Sequence, residues 1–454
     1  MLVNVPKLEA DFGIDLYASK HKGIGGRIRT FTEDFIVEEV LTDGSKASIH
    51  PSDTPTITSG HGRYLVCVLI KKSRDTLALV ESIGRQIGLS RGRISFAGMK
   101  DAHALTAQFV SLGGVPPEKV QNVSLENAMI IPMRFSSEKV SSKFLLGNQF
   151  IIVVRSLEHS HSAAKRMMDR TRKELADFGG IPNFFGHQRF GTVRPITHIV
   201  GRCILKGDFE AAVSVFLTES SLYEHPEARE ARERLRQSND FKSASKEFPR
   251  MLTYERVMIR HLSRYPKDFL GAFQKVPQSL RVLFLHAYQS YLFNRILSER
   301  MKLQISLRKA EIGDCVVTLD RSRLPTNIFK EAKSSNISEI NREIGKGELA
   351  VALPILGFKQ VPSKGRQGEI EREVMDQEGV SSTDFRLRRM PDASARGSLR
   401  RAIAPILSLG VSENEPTDQN GLSLRFHFTL HKGSYATVLL REFMKPKDPV
   451  KAGF

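Results

Sequence analysis

Residues 96–108 read Phe-Ala-Gly-Met-Lys-Asp-Ala-His-Ala-Leu-Thr-Ala-Gln. This stretch joins a short predicted strand, 94–97, to an extended segment, 107–112, through a polar loop that contains a Lys–Asp pair. Gly98 permits a tight backbone path into the loop, so we expect Asp101 to lie at its mouth with a cation as its sequence neighbour. A carboxylate that is kept ionised in this way is suited to act as a nucleophile or a base.

The overall charge indicates the class of partner. The chain has 454 residues, with 68 lysines and arginines against 50 aspartates and glutamates, which gives a formal net charge of +18. Such an excess favours a polyanionic partner, which is RNA, DNA or an anionic membrane surface. No second acidic group or metal ligand lies close to Asp101 in the sequence. A lone aspartate in so basic a chain therefore indicates chemistry on a nucleic acid.

The cysteines and the hydropathy pattern predict a cytoplasmic protein without a metal site or a cofactor. Cys67, Cys203 and Cys315 are far apart and form neither a disulfide framework nor a zinc-type pair, so we expect free thiols in a reducing compartment. We find no run of about 18 apolar residues and no secretory signal at the N-terminus. The segment 345–347, Gly-Lys-Gly, is too short for a P-loop, and no motif requires ATP, a flavin or NAD.

Strand signals at both ends of the chain surround a helical middle. This organisation predicts a catalytic domain made of residues 1–208 and 385–454, interrupted by an inserted domain at 209–384. The polar stretches 360–384 and 411–420 are interpreted as mobile. The predicted strands are 26–30, 34–40, 63–72, 149–155, 348–354 and 424–430. The predicted helices are 160–178, 227–235, 256–261, 279–300, one that is capped by Asp75 or Ser73 and one that begins near Ser434 or Tyr435 and ends close to Met444.

The connector 183–191 reads Asn-Phe-Phe-Gly-His-Gln-Arg-Phe-Gly. Its phenylalanines are natural core residues, so it is consistent with a packed structural turn. It is equally consistent with a base-binding loop, in which an aromatic ring stacks on an extruded nucleobase while amides bind the base edge or orient a carboxylate.

A cluster of arginines lies close to the C-terminal domain boundary. Six arginines fall within sixteen residues, with only Asp392 opposing them. Guanidinium groups suit bidentate phosphate contacts, so we predict RNA phosphate binding here, with a solvated basic surface as the alternative. The six are Arg386, Arg388, Arg389, Arg396, Arg400 and Arg401.

Five stretches resemble sequence blocks of the TruD family of pseudouridine synthases, in the order in which the family has them. Residues 98–108 resemble the signature G-x-K-D-x-x-A-x-T-x-Q, and residues 183–191 resemble the loop N-(Y/F)-F-G-x-Q-R-F-G. Residues 34–38 match the N-terminal block, and residues 287–294 and 397–401 fit later blocks.

The resemblance implies an α+β fold, with a catalytic domain of the pseudouridine-synthase type. Its sheet is expected to be mixed and mostly antiparallel, and its inserted domain to be a helix-rich α/β unit. The implied activity is isomerisation of uridine to pseudouridine in tRNA, without a cofactor, by default at position 13 in the D arm. The implied partner is tRNA, with other structured RNA also considered, and we expect a monomer.

The resemblance assigns catalysis to Asp101, which either attacks C1′ of the uridine or removes the C2′ proton to give a glycal-like intermediate. Asn183 is expected to orient Asp101 through its amide, and Phe185 to stack on the flipped uracil. Lys100 and Arg189 are expected to favour the anionic carboxylate or to bind flanking phosphates. The other expected supporting residues are Gln188, Phe35 and Glu38.

Phe35 and Glu38 are expected to close the wall opposite the loop 183–191.

Two rival functions are weighed against the isomerase. A non-catalytic RNA-binding or RNA-chaperone protein has no need of the Lys–Asp loop, and a hydrolase of N-glycosidic bonds would need a water-activating group that the sequence does not place near Asp101.

Overall fold

A computed structural model of the protein describes residues 4–53, 57, 61–413 and 422–454. Most of the stretch 411–420, interpreted above as mobile, lies outside these residues. The strands, in chain order, are β1 Phe35–Leu41, β2 Tyr64–Lys72, β3 Ile94–Phe96, β4 Leu105–Gly113, β5 Ala128–Ser136, β6 Leu145–Val154, β7 Ile181–Pro182, β8 Cys315–Leu319, β9 Pro325–Glu331, β10 Leu349–Ile355, β11 Ser398–Arg401, β12 Ile403–Ala404, β13 Ile406–Glu413 and β14 Leu424–His431.

The helices, in the same order, are α1 Lys7–Ala10, α2 Thr76–Ile87, α3 Pro117–Gln121, α4 His161–Phe178, α5 Thr197–Leu205, α6 Phe209–Thr218, α7 Pro226–Ser238, α8 Phe241–Glu247, α9 Thr253–Leu262, α10 Phe269–Gln274, α11 Gln278–Lys302, α12 Ile337–Lys346, α13 Gly365–Glu378 and α14 Ala436–Met444. None of the helices in the described part of the chain is both long and apolar enough to cross a membrane.

A mixed, mostly antiparallel sheet carries the N- and C-terminal parts of the chain, as expected. Within the described residues it has eight strands in the order β13-β14-β6-β1-β4-β2-β5, and β3 also pairs with β4. Only the pairing of β1 with β4 is parallel; it aligns residues 36–38 with residues 105–107. β3 pairs antiparallel with residues 110–112, beyond the part of β4 that β1 covers.

β2 and α2 form where the sequence predicts them. The apolar run of β2 is buried from Leu65 to Ile70, as expected for a central strand. The side chain of Asp75 caps α2 by accepting a hydrogen bond from the backbone N–H of Ala78 at 2.9 Å. Gly88 ends the helix in the left-handed conformation, with φ of 68°.

The middle of the chain is built around α11, which packs against α5, α13 and β10. A second sheet there has the order β11-β10-β8-β9. In the sequence, β11 comes after the predicted boundary at 384, yet it pairs with β10, which comes before that boundary. The division at 209 and 384 stays a prediction.

The interpretation of 360–384 as mobile is wrong, because α13 occupies most of this stretch. Ile370 and Val374 are buried on one side of the helix. Gln367 and Glu371 are buried as well and hydrogen-bond to each other. Polar composition misled the interpretation, because these polar side chains find partners inside the protein.

A buried ion pair fastens α14 to the N-terminal segment. The Arg441 guanidinium is fully buried and donates to the carboxylate of Glu9 at 2.7–3.1 Å and to that of Glu442 at 2.9 Å. Glu9 in turn lies 3.5 Å from Nε2 of His187, in the loop 183–191. The loop therefore lies next to the point where α14 and the N-terminal segment meet.

Replacing this buried arginine should destabilise the fold strongly. Arg441→Ala leaves two buried carboxylates without their cation, so we expect the free energy of unfolding to fall by about 3–5 kcal/mol, measured by denaturant titration. The control is Arg234→Ala, which removes only exposed ion pairs and should change the stability by less than about 1 kcal/mol. Equal effects of the two variants would contradict this account.

Candidate active site

The sheet topology brings distant segments to one edge. The N-terminal ends of β1 and β4 lie side by side because the two strands are parallel. The C-terminal end of β2 lies there too, since Lys71 pairs with Thr106 near the start of β4 in the antiparallel register. Arg29 precedes β1 and Asp101 precedes β4, so these two side chains meet at this edge.

Asp101 is held by three donors. Its Oδ2 accepts from Nη2 of Arg29 at 2.9 Å and from Nε2 of Gln188 at 2.7 Å, and its Oδ1 accepts from the backbone N–H of His103 at 2.9 Å. The side chain of Asp101 keeps 18% of its surface exposed. The carboxylate is therefore fixed in orientation and still accessible from outside.

Buried polar side chains hold the loop that carries Asp101. Nζ of Lys71 donates to the backbone carbonyl of Asp101 at 2.6 Å, and Lys71 is almost fully buried. Burial lowers the pKa of Lys71 from its ordinary value. Nε2 of Gln108 donates to the carbonyl of Gly98 at 3.3 Å, and Oε1 of Gln108 accepts from the hydroxyl of Thr76.

Gly98 does not need the conformational freedom expected of it. Its φ is not positive, and a Cβ there would meet no atom within 4 Å. Hydrogen bonds to the backbone carbonyls shape the loop. Every residue type has such a carbonyl, so these bonds do not require glycine.

Lys100 does not contact the carboxylate of its neighbour. Its Nζ lies 2.6 Å from Oε1 of Glu39, and this ion pair is buried under the loop. Oε2 of Glu39 accepts from the backbone N–H of Phe109 at 2.8 Å, so Glu39 joins β1 to β4 and anchors Lys100. The expectation that Lys100 favours an anionic Asp101 or binds phosphate is corrected: the cation beside Asp101 is Arg29.

Arg29 was not singled out by the sequence. Its guanidinium lies 4.1 Å from the ring centroid of Phe35, and its Nη1 donates to the carbonyl of Gly453 at 2.7 Å. Burial lowers the pKa of Arg29, and the charge of Asp101 opposes this effect. Its φ of 57° is uncommon for a residue with a side chain.

Phe35 and Glu38 have different surroundings. Phe35 supports Arg29 and so belongs to the site, as expected in part. The Glu38 carboxylate accepts from the backbone N–H of Ile49 at 2.9 Å and pairs with Lys46 at 3.2 Å. The expectation that Glu38 lines the site is wrong, because alternation along β1 turns Glu38 to the opposite face from Glu39.

The amide that contacts Asp101 belongs to Gln188, and the expected bond from Asn183 is not made. Nδ2 of Asn183 donates to the carbonyl of Arg401 at 2.9 Å, and its Oδ1 accepts from Nη2 of Arg400 at 2.6 Å. Asn183 therefore fastens one end of the loop 183–191 to β11.

The ring of Phe185 is buried and partly covered. The guanidinium of Arg400 lies 4.1 Å from its centroid and that of Arg189 lies 5.4 Å away. The edges of Phe293 and Tyr435 approach it at 5.5 and 6.2 Å. A base can stack on Phe185 only if the guanidinium of Arg400 leaves this position.

The six clustered arginines divide into two groups. Arg400 and Arg401 are partly buried and donate to backbone carbonyls, so they stabilise the protein itself. The other four are exposed, and none of them forms an ion pair within the described residues, although Arg386 and Arg389 lie over the rings of Phe358 and Phe209; the four are Arg386, Arg388, Arg389 and Arg396.

The arrangement at the sheet edge suits proton transfer or nucleophilic attack by one carboxylate. Arg29 and Gln188 fix the orientation of the Asp101 carboxylate by donating to its Oδ2. In the part of the chain that the structure describes, no cluster of histidine, cysteine and acidic side chains has the arrangement of a metal site. Cys67, Cys203 and Cys315 are free, as predicted.

Comparison with known proteins places the chain among RNA-modifying enzymes. The model of the family described as tRNA pseudouridine synthase D (TruD) matches residues 11–443. The chain is 34% identical over 449 residues to a probable tRNA pseudouridine synthase D of Methanococcoides burtonii, and 35% identical over 453 residues to one of Methanosarcina acetivorans. Each alignment covers 99% of both chains.

A solved structure agrees with these matches. The crystal structure of a protein assigned as tRNA pseudouridine synthase D from Methanosarcina mazei superposes with a TM-score of 0.81 at 34% identity. The superposition covers 98% of this chain and 99% of the other.

The buried pair of Lys100 and Glu39 should show strong energetic coupling. Lys100→Met leaves the Glu39 carboxylate buried without a cation, so we expect it to lower the free energy of unfolding by about 3–5 kcal/mol. The double variant Lys100→Met/Glu39→Gln should be clearly more stable than Lys100→Met alone, which a double-mutant cycle of denaturant titrations measures. Additive effects of the two substitutions would show that the pair is not coupled.

Proposed function

Since the chain belongs to the TruD family of tRNA pseudouridine synthases, we propose that it isomerises a uridine of tRNA to pseudouridine with Asp101 as its catalytic residue. The proposed target is the uridine at position 13 in the D arm, which is the target that the sequence resemblance implies. We propose the cytoplasm as the site of action and a monomer as the active form.

One observation supports the role of Asp101 above the others. Its carboxylate is partly exposed, while both of its oxygens accept hydrogen bonds from donors that are fixed by the fold. A catalytic carboxylate needs this combination, because it must reach the substrate without losing its orientation. Arg29 places a positive charge 2.9 Å from the carboxylate that both candidate routes use.

The reaction balances within the substrate and the surrounding water. The N1–C1′ bond breaks, the uracil turns, and a C5–C1′ bond forms. C5 loses a proton and N1 carries one in the product, so no electron pair or group is transferred to another molecule. We therefore propose that no cofactor takes part, and that Asp101 assists the loss of the C5 proton directly or through water.

Two routes are open to Asp101 in the first step. The carboxylate either attacks C1′ and forms an ester with the sugar, or it removes the C2′ proton to give a glycal. A tRNA with deuterium at C2′ of the target uridine distinguishes them under single-turnover conditions. A primary isotope effect on the rate supports the glycal route, and an unchanged rate supports attack at C1′.

The substrate must present a uridine that is stacked inside folded RNA. Flipping it out costs a few kcal/mol of unstacking, which contacts with the phosphate backbone can offset. We propose that the exposed arginines between 386 and 396 supply such contacts. We propose Phe185 as the ring that receives the uracil, after Arg400 moves from its face, and Arg189 as a contact to the flanking phosphates. Other structured RNAs that offer the same geometry are further candidate substrates.

The catalytic role of Asp101 is tested on unmodified tRNA transcripts, with pseudouridine mapped at single-nucleotide resolution. Asp101→Asn and Asp101→Ala should lower kcat by roughly 10³-fold or more, because they remove the base or nucleophile. Binding of tRNA should stay within about twofold of that of the unsubstituted protein, because the phosphate contacts are unchanged. The control is Asp376→Asn, which changes an exposed carboxylate outside the arginine cluster and should leave kcat and tRNA binding within about twofold.

The other outcomes separate the alternatives. Equal rates for Asp101→Asn and the unsubstituted protein would remove Asp101 from the mechanism. Tight tRNA binding without any pseudouridine would favour a non-catalytic RNA-binding or RNA-chaperone protein. Release of free uracil would indicate a hydrolase, and pseudouridine at another position would correct the proposed target.

The exposed arginines should affect binding more than chemistry. Arg388→Ala and Arg389→Ala should raise KM for tRNA with little change in kcat. Each should also reduce the slope of log Kd against log salt concentration by about 1, since one phosphate contact is lost. Arg234→Ala, outside the cluster, is the control. An unchanged salt dependence in the first two variants would place the tRNA elsewhere on the protein.

A further inference from the structure

Residues 452–454 contact Arg29, which donates to Asp101, and His187, which precedes the second side-chain donor, Gln188. The carbonyl of Ala452 accepts from the backbone N–H of Ile28 at 2.9 Å, and the carbonyl of Gly453 accepts from Nη1 of Arg29 at 2.7 Å. The ring of Phe454 meets the ring of His187 edge-to-face, with centroids 5.5 Å apart. We call residues 448–454 the C-terminal turn.

We propose that the C-terminal turn is a positioning element for the catalytic carboxylate. Gly453 sets the orientation of the Arg29 guanidinium through its backbone carbonyl, and Phe454 supports the loop that carries Gln188. This inference rests on the proposed catalytic role of Asp101. Neither residue touches the reacting atoms, so both act through the groups that contact Asp101.

The contact with Gly453 supplies a restraint that Arg29 otherwise lacks. The ring of Phe35 supports the plane of the guanidinium, but stacking on an apolar ring leaves the group free to slide and rotate within that plane. The bond from Nη1 to Gly453 and the bond from Nη2 to Asp101 together fix the rotation. Nε of Arg29 is buried and has no hydrogen-bond partner among the described residues, so these two bonds are the strong directional ones.

The close approach of Gly453 to Arg29 requires glycine. Its φ is 87°, and a Cβ on it would lie 2.1 Å from the carbonyl oxygen of Ile28. A side chain there must push the turn away from residues 28 and 29. The turn itself is ordered by local backbone bonds, in which Ala452, Gly453 and Phe454 donate to the carbonyls of Asp448, Val450 and Pro449.

Phe454 contacts His187, the residue that precedes Gln188 in the loop 183–191. His187 is buried between the rings of Phe454 and Phe12, with centroid distances of 5.5 and 5.6 Å. The next residue in the chain is Gln188, which donates to Asp101 at 2.7 Å. Removing the ring of Phe454 therefore opens a cavity beside His187, one residue before the side chain that donates to Asp101.

The test compares two glycine substitutions in the full-length protein acting on tRNA. Gly453→Ala should lower kcat by about 10- to 100-fold, since a shift of about 1 Å in a positioning group has an effect of this size. KM and Kd for tRNA should stay within about twofold. Gly207→Ala is the control, because Gly207 also has a positive φ but a Cβ there meets nothing within 4 Å. It should leave kcat within about twofold.

A double-mutant cycle shows whether Gly453 acts through Arg29. In a background of Arg29→Ala, the further change Gly453→Ala should have no additional effect on kcat, because the group that it positions is gone. A general structural defect would lower kcat by the same factor in both backgrounds and would overturn the inference. An unchanged kcat for Gly453→Ala in the otherwise unsubstituted protein would overturn it as well.

Phe454 gives a second set of variants in case Gly453→Ala does not fold. Phe454→Ala should lower kcat without changing Kd for tRNA, and Phe454→Leu should restore most of the rate because it refills the cavity. A rise in Kd at constant kcat would overturn the positioning role. If Asp101→Asn is fully active, the proposed function itself fails; if Asp101→Asn is inactive while the Gly453 and Phe454 variants are fully active, only the present inference fails.

Discussion

The parallel pairing of β1 with β4 is the constraint on which the site depends. Parallel strands begin at the same edge, so the segments that precede them are neighbours although they are far apart in the sequence. In this sheet those segments carry Arg29 and Asp101, and the antiparallel neighbour β2 delivers Lys71 to the same edge. An antiparallel register between β1 and β4 would place Arg29 and Asp101 at opposite edges. One strand pairing therefore decides whether the Asp101 carboxylate has Arg29 beside it.

Beneath the loop of Asp101 the protein buries charged side chains whose partners are other groups of the protein. Lys71 binds the backbone of the loop, and Lys100 pairs with Glu39, which also holds β4. Burying such groups is unfavourable unless their partners are well placed. These buried charges fix the position of the loop, because a hydrogen-bonded charge tolerates little displacement. The exposed surface of the site is correspondingly simple, with one carboxylate held by Arg29 and Gln188.

Local sequence patterns predicted much of the fold, but they did not predict which side chains bind each other inside the site. The apolar run of β2 and the Asp75 cap of α2 are signals within a few residues, and both elements lie where predicted. The partner of Lys100 depends on strand pairing across the sheet, so sequence proximity to Asp101 misled the assignment. The alternation of β1 could have separated Glu38 from Glu39, since neighbouring residues of a strand face opposite sides. Nothing local marks Arg29, whose role arises from contacts with segments that precede β4 and end the chain.

The contact between Arg29 and Gly453 joins positions that are 424 residues apart. Ribosomes add about 5–20 residues each second, so roughly 20–85 s of synthesis separate the two. A nascent chain can form β1, β2 and β4 and expose Asp101 long before the carbonyl that orients Arg29 exists. The bond that fixes the rotation of the Arg29 guanidinium therefore cannot form until residue 453 has been synthesised, and until then Asp101 lacks a cation in a fixed orientation.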